Sequence, residues 1–249
     1  MIYYKTAEQI ERMRLAGRIV YETLNMLEAW IRPGISTAEL DRLAESFIRD
    51  KGAEPSFKGY GGFPATLCIS RNEEVVHGIP SDKVFLEDGD IVSLDCGVYI
   101  NAYHGDHARS YAVGNVSPDK QKLMDVTKRC LALGIEQARP GKHLSDIGHA
   151  IQSHAESQGY SVVRELVGHG IGRRLHEDPQ VPNYGKKGQG IVLKEGLVIA
   201  IEPMVNMGKA GVITLADGWT VVTRDHMPSA HFEHTIVIGS KGPEILTNM

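Results

Sequence analysis

An α+β architecture with an approximate internal two-fold is expected for this chain of 249 residues, on three grounds. Helical periodicity near the N-terminus gives way to short apolar runs broken by Gly, Pro, Asn-Glu and Asp-Gly, the pattern of strands and turns. The same order then returns. Shifted by 107 residues, Arg32-Pro33-Gly34 falls on Arg139-Pro140-Gly141, Leu40 on Ile147 and Gly52 on Gly159. Under the same shift the run Asp88 to Asp95 falls on Glu195 to Glu202, so two acids that close apolar runs, Asp95 and Glu202, coincide. The expectation is one domain over 1–249, with pseudo-repeat halves of roughly 1–114 and 115–249. Each half is a helix pair followed by antiparallel strands, and a site lies where the halves meet.

The elements follow in order. Thr6 with Gln9 reads as a capping box, and Ile10, Met13, Val20, Leu24 and Leu27 keep helical spacing behind it. Pro33-Gly34 stops that helix. Ser36 with Glu39 caps a second helix running to about Lys51, with Gly52 at its C-terminal end. From Phe57 to about Gly114 the pattern is β. Within it, Asn101-Ala102 suits a two-residue hairpin turn; that register sets Asp95 opposite Ala108 and puts Asp106 one diagonal step away on the same face. Diagonal neighbours lie about 7–8 Å apart, and two carboxylates that close repel unless a proton or a cation lies between them.

Composition narrows the function. The hydrophobic fraction of 42% is ordinary for a globular protein, and no apolar run approaches the ~18 residues of a membrane span. The first residues lack the apolar core and small-residue cleavage site of a signal peptide, so a cytoplasmic protein is expected. Cys68, Cys96 and Cys130 form no CxxC and read as reduced thiols. A net charge of −4 gives no basic signal for nucleic acid, and Arg173-Arg174 and Lys186-Lys187 read as solvated loops.

Five residues of metal-ligand type stand in apolar or glycine-rich frames. They are Asp95 after Ile91-Val92-Ser93-Leu94, Asp106 after His104-Gly105, His169 between Gly168 and Gly170, Glu202 after Leu197-Val198-Ile199-Ala200-Ile201, and Glu233 after Phe232. A carboxylate is tolerated in such surroundings when it is paired, hydrogen-bonded or bound to a cation. Four acids and one histidine near the ends of strand-like runs therefore suggest a shared cation site. His176 follows His169 by seven residues.

These residues carry a resemblance over essentially the whole chain. Asn72-Glu73, His77-Gly78-Ile79-Pro80, Asp95, His104-Gly105-Asp106, Gly168-His169-Gly170, His176-Glu177, Ala200-Ile201-Glu202-Pro203 and Phe232-Glu233-His234-Thr235 occur in the order found in type I methionine aminopeptidases of the bacterial kind, which are pita-bread metallopeptidases. The resemblance implies the pita-bread fold, with its two pseudo-two-fold-related halves around a curved sheet. It also implies two divalent metal ions held by Asp95, Asp106, His169, Glu202 and Glu233, a set suited to Mn²⁺, Fe²⁺, Co²⁺ or Zn²⁺. Asp106 and Glu233 would bridge both ions. A metal-activated water would attack the first peptide bond, with Glu202 as proton carrier and His77 and His176 holding the scissile amide. The methionine slot would be Phe57, Tyr60, Phe63, Cys68, Leu175 and Trp219. Substrates would be nascent peptide N-termini with a small second residue, met near the ribosome by a monomer.

The chain departs from the family at two places. Phe57 stands where cysteine is usual. His107 stands where a small hydroxyl residue is commoner; it either adds a polar contact near the metals or faces solvent. Prolidases and X-Pro aminopeptidases carry an extra N-terminal domain and type II enzymes an insertion, and neither is expected here. A binding-only relative would have lost ligands.

Overall fold

Each half starts with a pair of helices whose ends are written in the local sequence. The computed structural model describes residues 1–248. Helix α1 (Ala7–Glu28) opens on the Thr6–Gln9 capping box and α2 (Thr37–Asp50) on Ser36, whose hydroxyl accepts the Glu39 amide. Helix α3 (Pro118–Gln137) has Ser117 as its cap and proline at its first position, where no amide donor is missed. Helix α4 (Leu144–Ser157) opens where the Asp146 carboxylate accepts the His143 amide. Helix α1 stops at Glu28, short of Pro33-Gly34, because the Trp30 and Ile31 amides turn back onto the Leu27 and Glu28 carbonyls.

The strands of the first half are β1 (Glu54–Pro55), β2 (Leu67–Arg71), β3 (Glu74–Val76), β4 (Ile91–Ile100) and β5 (Tyr103–Ala112). Those of the second are β6 (Ser161–Val162), β7 (Gly168–Gly170), β8 (Glu177–Val181), β9 (Val198–Ile201), β10 (Met204–Asn206), β11 (Val212–Thr214), β12 (Val221–Thr223), β13 (Ser229–His231), β14 (His234–Gly239) and β15 (Gly242–Ile245). The segment from Phe57 to Thr66, expected to be extended, is instead a loop with a 3₁₀ turn at Tyr60–Gly62; left-handed glycines at 59, 61 and 62 allow the bend.

All strand pairing within the sheets is antiparallel. Strand β4 lies between β5 on one side and β1 and β2 on the other, and a second sheet runs β15-β14-β9-β7-β8. Of two three-stranded sheets, β11-β12-β3 joins the halves and β13-β10-β6 lies within the second. The helix pairs pack outside. Along β4 the residues Val92, Leu94, Cys96 and Val98 meet the apolar faces of α1 and α2, and in the second half Ile199, Ile201 and Ile236 meet α3 and α4. A strand's side chains alternate, so Ser93, Asp95 and Gly97 must face away from the helices, toward the other half.

The repeat holds in three dimensions. Helix α4 begins and ends 107 residues after α2, and the isolated bridge Ser36 to Phe85 recurs as His143 to Val192. The left-handed glycines 34, 52 and 89 recur at 141, 159 and 196. The halves differ at the acid they share. Asp95 sits inside the unbroken β4, whereas Glu202 is followed by Pro203, which separates β9 from β10. Among the described residues no helix is long and apolar enough to cross a membrane.

Candidate metal centre and active site

The thirteen residues expected to bind cations, act on the peptide bond or line the methionine slot all line one cavity of about 120 Å³. Asp95 and Asp106 reach it through the β4–β5 hairpin. Asn101 and Ala102 both have positive φ, 51° and 67°, as a type I′ turn requires, and Asp95 faces Ala108. Asp106 is fixed from below, since its carbonyl accepts the Thr235 hydroxyl at 2.8 Å and its amide donates back to that oxygen at 3.1 Å. Glu233 occupies the break between β13 and β14, with its amide on the Ala108 carbonyl at 2.9 Å. Glu202 occupies the matching break between β9 and β10, its carbonyl held by the Asn183 side-chain amide at 3.0 Å.

His169 comes from β7. Its glycine frame serves the sheet: a Cβ at residue 168 would lie 2.4 Å from the Ala200 carbonyl oxygen, and one at 170 would lie 2.1 Å from that of Asp178. The ring donates from Nδ1 to the Gly170 carbonyl at 2.8 Å, which leaves the Nε2 lone pair turned to the acids. Nε2 lies 3.6 Å from Glu202 Oε1 and 3.8 Å from Asp106 Oδ2. Ligand atoms of Asp106, His169 and Glu233 fall within 4.8 Å of one another.

The electrostatics of this cluster is unbalanced. Burial raises the pKa of Asp95 to about 7. Asp106, Glu202 and Glu233 are pushed well above the usual carboxylate range, first by burial and then by neighbouring acids: Glu233 and Asp95 for Asp106, Asp95 and Asp106 for Glu202, Glu202 and Asp95 for Glu233. Two ionised carboxylates 4–5 Å apart repel by on the order of 3–4 kcal/mol at an effective dielectric near 20. None of the four pairs with lysine or arginine among the described residues. Asp95 Oδ1, Asp106 Oδ1 and Glu233 Oε1 are buried without any hydrogen-bond partner. Orphaned acid oxygens facing a neutral imidazole lone pair suit a divalent cation bound by oxygen and nitrogen.

The two remaining histidines flank the cluster. His176 is exposed at the cavity mouth, its ring 4.3 Å from that of His169, with Nδ1 bonded to the Tyr60 hydroxyl at 2.8 Å. Tyr60, expected as a slot wall, therefore also orients this ring. When the phenol donates to Nδ1, the ring's own N–H is at Nε2. His77 has φ of 60°, and a Cβ on Gly78 would sit 2.1 Å from the Ile69 carbonyl oxygen; this tight, strained turn brings the imidazole to the cavity. Burial lowers the pKa of both rings, His77 further through His176.

The slot is apolar. Phe63 and Trp219 meet edge to face at 5.2 Å, and Leu175, Cys68 and Phe57 complete the wall. Burial, then the nearby acids, pushes the Cys68 thiol well above its ordinary pKa, so it is a neutral, polarizable surface. Phe57 fits because Gly97 lies under it: a Cβ there would stand 2.6 Å from the ring.

Of two further residues near the cluster, the sequence left one open between a polar contact and solvent, and did not single out the other. His107 is buried and does not face solvent. It donates from Nδ1 to the Glu233 carbonyl and accepts at Nε2 from Arg109 at 2.8 Å, so it steadies the Glu233 backbone from behind. His231 was missed. It closes β13 two residues before Glu233, and its Nε2 is 3.9 Å from Glu202 Oε2. That spacing was the available signal.

Comparison with known proteins gives the family. Residues 11–240 match the model of metallopeptidase family M24. The chain is 56% identical over 247 residues to a methionine aminopeptidase of Clostridium acetobutylicum, with 99% of each chain covered. It is also 56% identical over 249 residues to methionine aminopeptidase 1 of Bacillus subtilis, with both chains fully covered. The crystal structure of a Thermotoga maritima methionine aminopeptidase superposes with a TM-score of 0.99 at 44% identity over the whole of both chains.

Proposed function

The chain belongs to metallopeptidase family M24, and from that membership and the cavity's chemistry we propose how it carries out its reaction. It is a metal-dependent aminopeptidase that removes N-terminal methionine. The observation that carries the mechanism is the buried, uncompensated set of four acids with one imidazole lone pair among them. Asp95, Asp106, His169, Glu202 and Glu233 would hold two divalent cations, drawn from Mn²⁺, Fe²⁺, Co²⁺ or Zn²⁺. Bound there, such cations supply Lewis acidity, polarising the scissile carbonyl and bringing the pKa of water toward about 7.

The chain's own groups then have separate tasks. The methionine side chain enters the slot of Phe57, Phe63, Cys68, Leu175 and Trp219, whose aromatic and sulfur surfaces suit a thioether. The free amino group lies at the Asp95 end, which limits cleavage to the first bond. His176 donates from Nε2 to the carbonyl oxygen as negative charge develops on it, an interaction worth roughly 10²–10³ in kcat. His77 holds the scissile amide. Glu202 takes a proton from water as water adds to the carbonyl carbon, and passes it to the amide nitrogen as the C–N bond breaks. Methionine and the shortened peptide leave. The natural substrates in this reading are nascent chains with a small second residue, met near the ribosome in the cytoplasm by a monomer.

The test is hydrolysis of Met-Ala-Ser, Met-Lys-Ser and Leu-Ala-Ser by metal-stripped protein titrated with Mn²⁺, Fe²⁺, Co²⁺ or Zn²⁺. Metal-dependent cleavage of Met-Ala-Ser alone is expected. Comparable cleavage of Leu-Ala-Ser would sink the slot assignment, and inertness with every metal would sink the mechanism.

A further inference from the structure

His231 closes β13 with its side chain buried and neither ring nitrogen hydrogen-bonded. A neutral imidazole always has one N–H and one lone pair, so both a donor and an acceptor are left unpaired in the interior, a costly state that native folds rarely keep without use. The ring is not among the residues that line the cavity. Among the described residues the only carboxylate within 4 Å of it is Glu202. That carboxylate lies between two imidazoles, with Oε1 3.6 Å from His169 Nε2 and Oε2 3.9 Å from His231 Nε2.

The backbones on both sides are fixed. The His231 amide donates to Ser110 Oγ at 2.9 Å, and its carbonyl accepts from that hydroxyl at 2.9 Å. The Glu202 carbonyl is held by Asn183. Only the two side chains are free to close the gap, and a shift of about an ångström brings 3.9 Å to hydrogen-bond distance.

We propose that His231 is a positioning residue for Glu202: its Nε2–H donates to Oε2 in the metal-loaded enzyme and so directs Oε1 into the cavity beside His169. The proposal rests on the metallopeptidase reading of Glu202. A ligating carboxylate needs an outer donor to choose which oxygen faces the ion, and such donors typically change metal affinity or activity 10–100-fold when removed. His169 cannot be that donor, because its proton is already on the Gly170 carbonyl. His107 steadies Glu233 in an analogous way, through its backbone.

The test compares the full chain with two variants. H231Q keeps an N–H donor close to the Nε2 position, and H231F keeps the ring without the donor. Mn²⁺ affinity of metal-stripped protein is measured by calorimetry, and its Tm is measured without metal. H231F should bind Mn²⁺ 10–100-fold more weakly while its metal-free Tm stays level or rises, since two unpaired polar atoms are gone. H231Q should bind Mn²⁺ within about threefold of the parent. A merely structural histidine would instead lower the metal-free Tm in both variants. H231L serves as the donor-free variant if H231F does not fold.

Equal Mn²⁺ affinity in H231F and the parent overturns the proposal and leaves the metal-centre reading standing. So does an H231Q as weak as H231F. A changed visible spectrum of Co²⁺-loaded H231Q overturns it too, by making the ring itself a ligand. A parent protein that binds no Mn²⁺ overturns the metal-centre reading and the positioning role together.

Discussion

Two groups of buried carboxylates in this molecule meet opposite fates. Glu177 and Lys5 face each other at 2.7 Å with side chains only 4% and 5% exposed, and Glu177 also accepts the Arg174 amide. Burial works to raise the Glu177 pKa, but the Lys5 hydrogen bond and the amide outweigh it, and the net shift is downward. Asp106, Glu202 and Glu233 are also buried and shift upward, first through that burial and then through neighbouring acids, and no lysine or arginine answers them. A buried acid with its own cation in the chain joins two parts of the fold, here residues 172 positions apart. A buried acid without one points to a charge that must come from outside the chain.

The sharpest way to break this contrast is Asp106→Asn. Activity on Met-Ala-Ser with Mn²⁺ should fall by ~10³-fold or more, as expected when a group central to transition-state charge is lost. The metal-free Tm should rise, since a carboxylate whose ionised form the fold disfavours is replaced by a neutral amide. A fall in both would show that Asp106 is structural. Lys5→Met should do the reverse. It strands Glu177 and should cost about 3–5 kcal/mol of stability in denaturant unfolding, whereas Lys5→Met with Glu177→Leu should recover most of that. Equal stability of the single and double variants would refute the pairing.

The pH dependence follows from the same difference. Asp95, with a folded pKa raised to about 7 from 3.8, favours folding fully below its unfolded pKa and loses that contribution as pH rises through about 7; the other three acids act in the same direction. His77, His104, His107, His169, His176, His231 and His234 have lowered pKa values and act oppositely, removing stability as pH falls below their unfolded value of about 6.5. The metal-free Tm should therefore peak near neutrality and decline on the alkaline side as the three acids raised well above their usual range ionise, and Mn²⁺ should abolish that decline because binding takes the deprotonated ligands. A metal-free Tm that climbs steadily to pH 8.5 would contradict the raised acids.

Much of this was legible in the sequence. The 107-residue repeat pointed to a second helix pair matching the first, and the Asn101-Ala102 turn gave the register that sets Asp95 opposite Ala108. These features are local or periodic, so the chain displays them directly. What was hidden depends on contacts between distant segments. Nothing near Lys5 names Glu177, and nothing near His107 says that its ring turns to the Glu233 carbonyl. The loop from Phe57 to Thr66 was misread as β because its apolar residues line a cavity and not a sheet face. His231 was passed over because its spacing from Glu233 gains meaning only once the fold brings Glu202 beside it.

Phe57 provides the smallest effect and tests whether the cavity's apolar wall is as specific as its charged floor. The ring rests on Gly97, in space that only a missing side chain leaves open, and it lines the cavity on the side proposed to take the methionine side chain. Phe57→Cys removes that side without touching any acid. One added methylene in a hydrophobic pocket changes discrimination by 10–200-fold, so a wider slot should relax the preference for an unbranched side chain, raising kcat/KM for Leu-Ala-Ser relative to Met-Ala-Ser by about 10-fold. Mn²⁺ affinity should not change, because Phe57 donates nothing to the cluster. An unaltered ratio would show that selectivity lies with Cys68, Phe63 and Trp219, and altered metal affinity would show that the wall and the acids form one mechanical unit.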